Sequence, residues 1–229
     1  MSQYANAWQA VRARVAAAAR AAGRAPESIA LVAVSKTFSA EAVRAVHALG
    51  QRAFGENYVQ EAAAKRAALA ELPGIEWRLI GPLQSNKARL AAEVFDAVET
   101  IDRLAIAERL SRARGLASPP LVVLIQVNVS GEASKSGVVP RDAPMLAQAV
   151  ARLPGLRLRG IMGVPEPTSD VALQRARFRA LRDCFDECRA AGTAVDTLSM
   201  GMSADLEAAI AEGATEVRVG AAIFGARNP

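Results

Sequence analysis

Lys36 closes the first strongly apolar run of this 229-residue chain, Ile29-Ala30-Leu31-Val32-Ala33-Val34-Ser35-Lys36, and is one of only four lysines. Such a run, with Pro26 before it and a helical pattern after it, reads as a buried strand of a parallel sheet. The ends of such strands are where α/β proteins place their chemistry. Lysine differs from arginine there, because its amine can lose a proton on desolvation and form a Schiff base with an aldehyde. The run alone is equally satisfied by a lysine whose stem covers apolar surface while its ammonium reaches water. Residues elsewhere in the chain have to decide.

Two late segments add an anion-binding signal: Ser199-Met200-Gly201-Met202-Ser203, and Arg218-Val219-Gly220 through Gly225. The first offers two hydroxyls around a glycine and is expected to open a helix, whose amides and dipole favour an anion. The second offers the amides of Gly220 and Ala221 with little side-chain bulk. An ordinary helix cap at Ser203 and close packing at the glycines would look the same individually. Arg218 shares a strand face with Gly220, two residues on. If that face points inward, the guanidinium needs a partner. An aldehyde for Lys36, a phosphate clasp and a ring acceptor opposite a permanent cation together describe pyridoxal 5′-phosphate.

These residues need a scaffold that brings strand ends together. Strand-like runs lie near 29–35, 52–55, 76–81, 95–100, 121–129, 156–162, 196–200 and 216–220. Amphipathic stretches separate them near 39–50, 57–71, 84–92, 102–114, 141–152, 170–191 and 203–213. An Ala/Arg-rich helix with Trp8, Val11 and Val15 on one side precedes them all. The alternation predicts an α/β fold, a single (β/α)8 TIM-type barrel domain over 1–229 with an extra N-terminal helix. A doubly wound open sheet is the alternative, but its Gly-rich first turn is replaced here by Ser35-Lys36-Thr37-Phe38. In a barrel the strand ends converge, and they supply Lys36, Glu56-Asn57, Gln84 to Lys87, Thr100, Asn128, Met162, Ser199 to Ser203, and Arg218 with Gly220.

At this point the chain resembles the pyridoxal-phosphate homeostasis proteins (YggS/PROSC type), which share a barrel with the N-terminal domain of alanine racemases. Ala33-Val34-Ser35-Lys36-Thr37, the segment 54–61 beginning Phe54-Gly55-Glu56-Asn57, and the segment 80–87 beginning Ile80-Gly81-Pro82 carry the likeness. Gln126-Val127-Asn128, Ser134-Lys135-Ser136-Gly137, the segment 198–205 and Val217-Arg218-Val219-Gly220 through Gly225 extend it over nearly the whole chain. The resemblance implies Lys36 as the Schiff-base lysine, Ser199, Ser203, Gly220 and Ala221 around the phosphate, and Arg218 facing the ring nitrogen. It implies Asn57, Asn128 and Met162 as lining residues. Lys135 is a candidate second amine for transfer or secondary binding, or simply an exposed loop lysine. Arg78 and Phe38 depart from the family pattern, where a histidine and a second lysine often stand, and both are expected near the mouth.

Composition narrows the function. The chain is 52% hydrophobic with a formal charge of +5. Its arginines are scattered over helix exteriors and no RNA- or DNA-binding motif accompanies them, so nucleic acid is not an expected partner. No stretch approaches the ~20 apolar residues that span a bilayer, and the N-terminus lacks a signal-peptide core. A cytoplasmic monomer is expected. Cys184 and Cys188, four apart, read as helix packing in preference to a metal site.

Three functions compete. An arginine at the ring nitrogen keeps that nitrogen unprotonated and makes the cofactor a poor electron sink. Racemisation needs a second base, which the similar racemases take from a C-terminal domain, whereas this chain ends nine residues beyond Gly220. Tyr58 could substitute, but is expected to be packed at its helix start. A racemase-like enzyme is therefore the alternative, and an aldolase lacks a polar relay, since the lone His47 is mid-helix. The preferred reading, which the resemblance also implies, is a regulator without established catalytic turnover that holds pyridoxal 5′-phosphate as a Lys36 Schiff base, serves its homeostasis and hands it to apo enzymes.

Overall fold

The computed structural model describes residues 3–131 and 136–226. Its eight strands are all parallel and close into a barrel in chain order. They are β1 Ala30–Val34, β2 Ala53–Glu56, β3 Glu76–Leu79, β4 Ala97–Ile101, β5 Leu121–Val127, β6 Leu156–Gly163, β7 Thr197–Ser199 and β8 Glu216–Val219. Around them run α1 Ala5–Ala21, α2 Ala40–His47, α3 Val59–Ala68, α4 Ala88–Val94, α5 Leu104–Arg114, α6 Ala143–Ala151, α7 Val171–Ala190, α8 Leu206–Ala211 and the short α9 Ala221–Phe224.

Local chemistry explains several boundaries. Ser39 accepts from the amide of Ala42 and starts α2, and Asp170 accepts from Ala172 and Leu173 and starts α7. The α8 helix begins three residues later than its sequence suggests. Asp205 accepts from the amide of Met202 at 2.6 Å and donates its own amide back to the Met202 carbonyl. That closed turn replaces the expected first helical turn, so Ser203 precedes the helix.

The outward strand residues Phe54, Leu79, Val98, Ile125, Ile161, Leu198 and Val217 are buried in one apolar layer shared with the helices. Cys184 and Cys188 belong to the same layer on α7. The α1 helix packs on α8 and α9, and its Trp8, Val11, Val15 and Ala19 are buried. Trp8 donates to Gln51, which in turn donates to the carbonyls of Leu31 and Ala53. The extra helix is thereby tied to β1 and β2.

Alternation turns the other residues inward. Val32 and Leu124 are buried there, but so are Glu99, Ser199, Glu216 and Arg218, with Arg78 largely buried beside them. A barrel interior is ordinarily filled by layers of branched apolar side chains. Here much of it is a network of charges.

Candidate cofactor-binding site

Lys36 lies two residues past β1, half-buried, between a fully buried Ser35 and an exposed Thr37. Ser35 donates its amide to Gly55 of β2, and Phe38 donates to the Ser35 carbonyl, closing a tight turn around the lysine. Thr37 sits at φ +69°, the one non-glycine residue at positive φ among the described residues. A β-branched residue in that region is strained by about 1–3 kcal/mol and persists only where its surroundings hold it. The restraint comes from α3. Glu61 accepts the Thr37 amide at 2.6 Å. Lys65 is buried and donates to the Ser35 carbonyl, to Glu56 and to Glu61, each at 2.7 Å. Burial raises the Glu56 carboxyl above its usual range, while hydrogen bonds from Lys65 and Ser35 pull it back.

The turn brings Lys36 to the end of β8. Val34, Lys36, Phe38, Gly220, Ala221 and Gly225 line one cavity of about 80 Å³. A Cβ on Gly220 would approach the Val34 carbonyl to 3.2 Å and the Val34 Cβ to 3.3 Å, so the glycine keeps this corner open. The first amides of α9 have no carbonyl of their own helix to bond. Phe38 of that lining stacks on Phe224 with ring centroids 5.0 Å apart, and Tyr4 meets Phe224 edge-on at 5.7 Å. Ser203 is half-buried in the neighbouring loop, and Arg14, paired with Glu207, holds its carbonyl at 3.0 Å.

Arg218 points into the barrel and is almost wholly buried. It donates to the Ser199 hydroxyl and, at 2.8 Å, to the Gly163 carbonyl. Ser199 donates onward to Glu99 at 2.8 Å, and Arg218 stands 4.0 Å from the same carboxylate. The side chain of Ser199, expected against a phosphate, is here engaged by Arg218 and Glu99. Met162 is buried beside it, in register with both Gln126 and Ser199.

The remaining expected residues are more dispersed. Asn57 follows β2, and its backbone lies so close to Gly81 that a Cβ there would come within 2.5 Å of the Asn57 carbonyl. Asn128 accepts from the amide of Gly131 and lines a separate cavity of about 220 Å³ with Ile80, Pro82, Gln126 and Ser136. Thr100 is buried and donates to the Gly81 carbonyl. Lys135 lies outside the described residues. Tyr58 is 59% exposed, not packed as expected, because the chain passes through it in extended form before α3 begins.

Arg78 is also misplaced by the sequence. It is not at the mouth but at the opposite end, paired with Glu76, Glu99 and Glu216. There it lines a cavity of about 390 Å³ between α1 and the strand beginnings, together with Trp8, Arg12, Glu27 and Arg52. That cavity faces away from Lys36 and shares no lining residue with the Lys36 cavity. Phe38, by contrast, is beside Lys36 as expected.

This geometry can be set beside known proteins. Residues 8–228 match the family described as alanine racemase, N-terminal domain. The pyridoxal phosphate homeostasis protein of Pseudomonas aeruginosa is 58% identical over 218 residues, 95% of this chain and 93% of its own. That of Escherichia coli K12 is 53% identical, over 95% of this chain and 94% of its own. The chain belongs to the pyridoxal phosphate homeostasis proteins. A related solved structure, PipY of Synechococcus elongatus with PLP bound, superposes with a TM-score of 0.85 at 38% identity, covering 97% of this chain and 100% of that one. A protein of unknown function from Bifidobacterium adolescentis reaches 0.91 at 38% identity, over 96% of this chain and 94% of that one. The alanine racemase of Corynebacterium glutamicum, at 18% identity and 0.67, shares the fold, with this chain covering 60% of its length.

The sequence reading places Glu56 at a strand end without a role, gives Glu61 none, and leaves out Lys65 and Glu99. Signals for them exist. Glu99 is a charge inside the apolar run Ala97 to Ile101, and Glu61 and Lys65 stand four apart on one helix face. Among the described residues no group of three or more His, Cys, Asp or Glu side chains is arranged to hold a metal. No helix among them is long and apolar enough to cross a membrane.

Proposed function

We propose that this protein binds pyridoxal 5′-phosphate at the barrel mouth, attached covalently to Lys36, and serves cofactor homeostasis as a reversible carrier in the cytoplasm. The observation that carries this reading is the shared cavity of Lys36, Gly220 and Ala221. A primary amine and a small-residue corner with spare amides meet there, and the donor set suits an aldehyde bearing a phosphate. PLP bound to the related PipY supports the same assignment. Bound there, the cofactor supplies an aldehyde that a primary amine attacks reversibly.

Each residue has a defined task in this reading. Lys36 holds the aldehyde carbon. Gly220 and Ala221, with Ser203, bind the phosphate through amides and a hydroxyl. Arg218 faces the ring nitrogen, and Ser199 and Glu99 fix its plane. A guanidinium is a donor without an acceptor and stays charged, so it holds the ring nitrogen unprotonated. That arrangement stores the cofactor without drawing electrons out of a bound amino acid. Asn57, Asn128 and Met162 shape the rest of the mouth, and Lys135 serves release or secondary binding. Tyr58, mostly exposed on the rim, is not held as an opposing base would be. The protein acts as a monomer and delivers to apo forms of cofactor-dependent enzymes.

The test is direct. Protein incubated with pyridoxal 5′-phosphate develops a visible absorption band that borohydride fixes to Lys36, and Lys36→Ala removes both band and label. Protein that takes up no cofactor sinks the assignment. Rapid alanine racemisation by the wild type would replace the carrier with an enzyme. Transfer to an apoenzyme in the presence of a trap for free cofactor separates direct delivery from release.

A further inference from the structure

We infer that Glu61 and Lys65 are positioning residues for Lys36, a clamp from α3 that grips the residues on both sides of it and holds Thr37 in its strained conformation. The inference rests on Lys36 being the attachment point proposed above.

Three observations converge on one turn. Lys65 is buried, with its side chain 7% exposed, and its ammonium has three acceptors, one of them the carbonyl of Ser35. Glu61 accepts simultaneously from Lys65 and from the Thr37 amide. Thr37, which carries that amide and directly follows Lys36, is the one described non-glycine residue at positive φ. An ammonium is costly to bury, and an alkyl side chain at position 65 would fill the same space between α3 and the sheet without that cost. What an alkyl chain cannot do is bond the Ser35 carbonyl and orient Glu61 beneath Thr37. The strain at Thr37 likewise has no local cause, since asparagine or glycine would relieve it. Strain of this kind survives where neighbouring structure over-determines the backbone. Here the over-determination consists of the Lys65 bond to Ser35 and the Glu61 bond to Thr37. Between those two fixed points the backbone of Lys36 has little freedom. Its amine is presented to the cavity it shares with Gly220 and Ala221 without an ordering cost at each binding event.

Two measurements on the full chain test the clamp. In the ligand-free protein, hydrogen exchange over residues 36–38 is slow, and Glu61→Ala accelerates it at the Thr37 amide by about tenfold or more, because that amide loses its acceptor. In pyridoxal 5′-phosphate titrations, Glu61→Ala weakens formation of the Lys36 adduct by about tenfold, the scale of the strain released. Thr37→Asn in the Glu61→Ala background restores most of that loss, since asparagine occupies the left-handed region more readily. Lys65→Met gives the same direction if it folds, and Glu61, a quarter exposed, supplies the variant that does not depend on this. Unchanged exchange in Glu61→Ala overturns the clamp, and so does a loss of adduct that Thr37→Asn fails to recover. If the wild type forms no Lys36 adduct, the functional reading falls, while the exchange measurement still decides whether α3 clamps the turn.

Discussion

Arg78 and Arg218 occupy the two ends of one barrel interior, and their surroundings are opposite. Arg78, near the strand beginnings, is surrounded by carboxylates of Glu76, Glu99 and Glu216. Burial alone would lower its pKa, but those charges raise it well above the ordinary arginine value. Arg218, near the strand ends, has a hydroxyl, a carbonyl and a single carboxylate at 4.0 Å. Neutral acceptors satisfy donors without cancelling charge. The lower arginine is therefore spent on the fold, whereas the upper one keeps much of its field for whatever enters the mouth. Glu99 touches both and joins the two ends.

The largest effect expected from breaking this division falls on the lower end. Above pH 8, where Glu216 is ionised, Arg78→Met leaves Glu99 and Glu216 buried without their cation, and removing one partner of a buried pair costs about 3–5 kcal/mol. Thermal unfolding should drop by about 10 °C for a chain of this size, with the Lys36 adduct still formed at temperatures where the variant is folded. A variant that melts like the wild type would mean that Arg78 is not the counter-ion of the barrel floor.

The same region predicts a pH dependence of definite sign. Burial, reinforced by the neighbouring charge of Glu99, pushes the Glu216 carboxyl up to about 8, against the pull of Arg78. The unfolded chain releases this proton near the ordinary glutamate value of about 4.3. Between those values the folded state binds more protons than the unfolded state, so stability falls as pH rises through the window. The loss attributable to this group approaches at most about 1.4 kcal/mol per pH unit and ends above the folded value. Glu216→Gln removes it. The stability difference between wild type and variant should therefore decline from pH 5 to 8 in denaturant titrations. A flat difference would show that Glu216 is ionised throughout, as a simple partner of Arg78.

The contrast between the ends also marks how far the sequence can be read. Most strands were legible because their apolar runs are preceded by glycine or proline, as at Pro73-Gly74 and Pro154-Gly155. Lys36 and Arg218 were legible because each follows from position in a strand and from alternation. The end to which an inward side chain leans was not, and so Arg78 was assigned to the wrong mouth. Its place depends on the stagger of the sheet, in which Arg78 is level with Ala97 at the start of β4 and Ser199 with Glu216 at the start of β8. No local pattern encodes that stagger. The Lys65 clamp escaped for a related reason, since the spacing of Glu61 and Lys65 is ordinary for a solvated helix face. Only packing of α3 on the Lys36 turn buries the pair's cation. The α9 helix was missed because four residues are too few to show a period.

The finest distinction concerns Ser199, which the sequence groups with the phosphate residues and the structure binds to Arg218. The two roles differ in what they require of the ligand. A hydroxyl acting through Arg218 affects recognition of the ring, so Ser199→Ala should weaken pyridoxal and pyridoxal 5′-phosphate by the same factor. That factor is about five- to tenfold, the loss of roughly 1 kcal/mol that one hydrogen bond carries. A hydroxyl on the phosphate would weaken only the phosphorylated ligand and would weaken competition by inorganic phosphate. Ser203→Ala provides the internal contrast, since Ser203 stands beside the loop ends and away from the buried Arg218 pair. It should reduce affinity for pyridoxal 5′-phosphate and leave pyridoxal nearly unchanged. If Ser199→Ala behaves like Ser203→Ala, the hydroxyl must leave Arg218 and Glu99 when ligand arrives, and the division between a structural floor and a ligand-ready mouth would have to be drawn one residue lower, at Glu99.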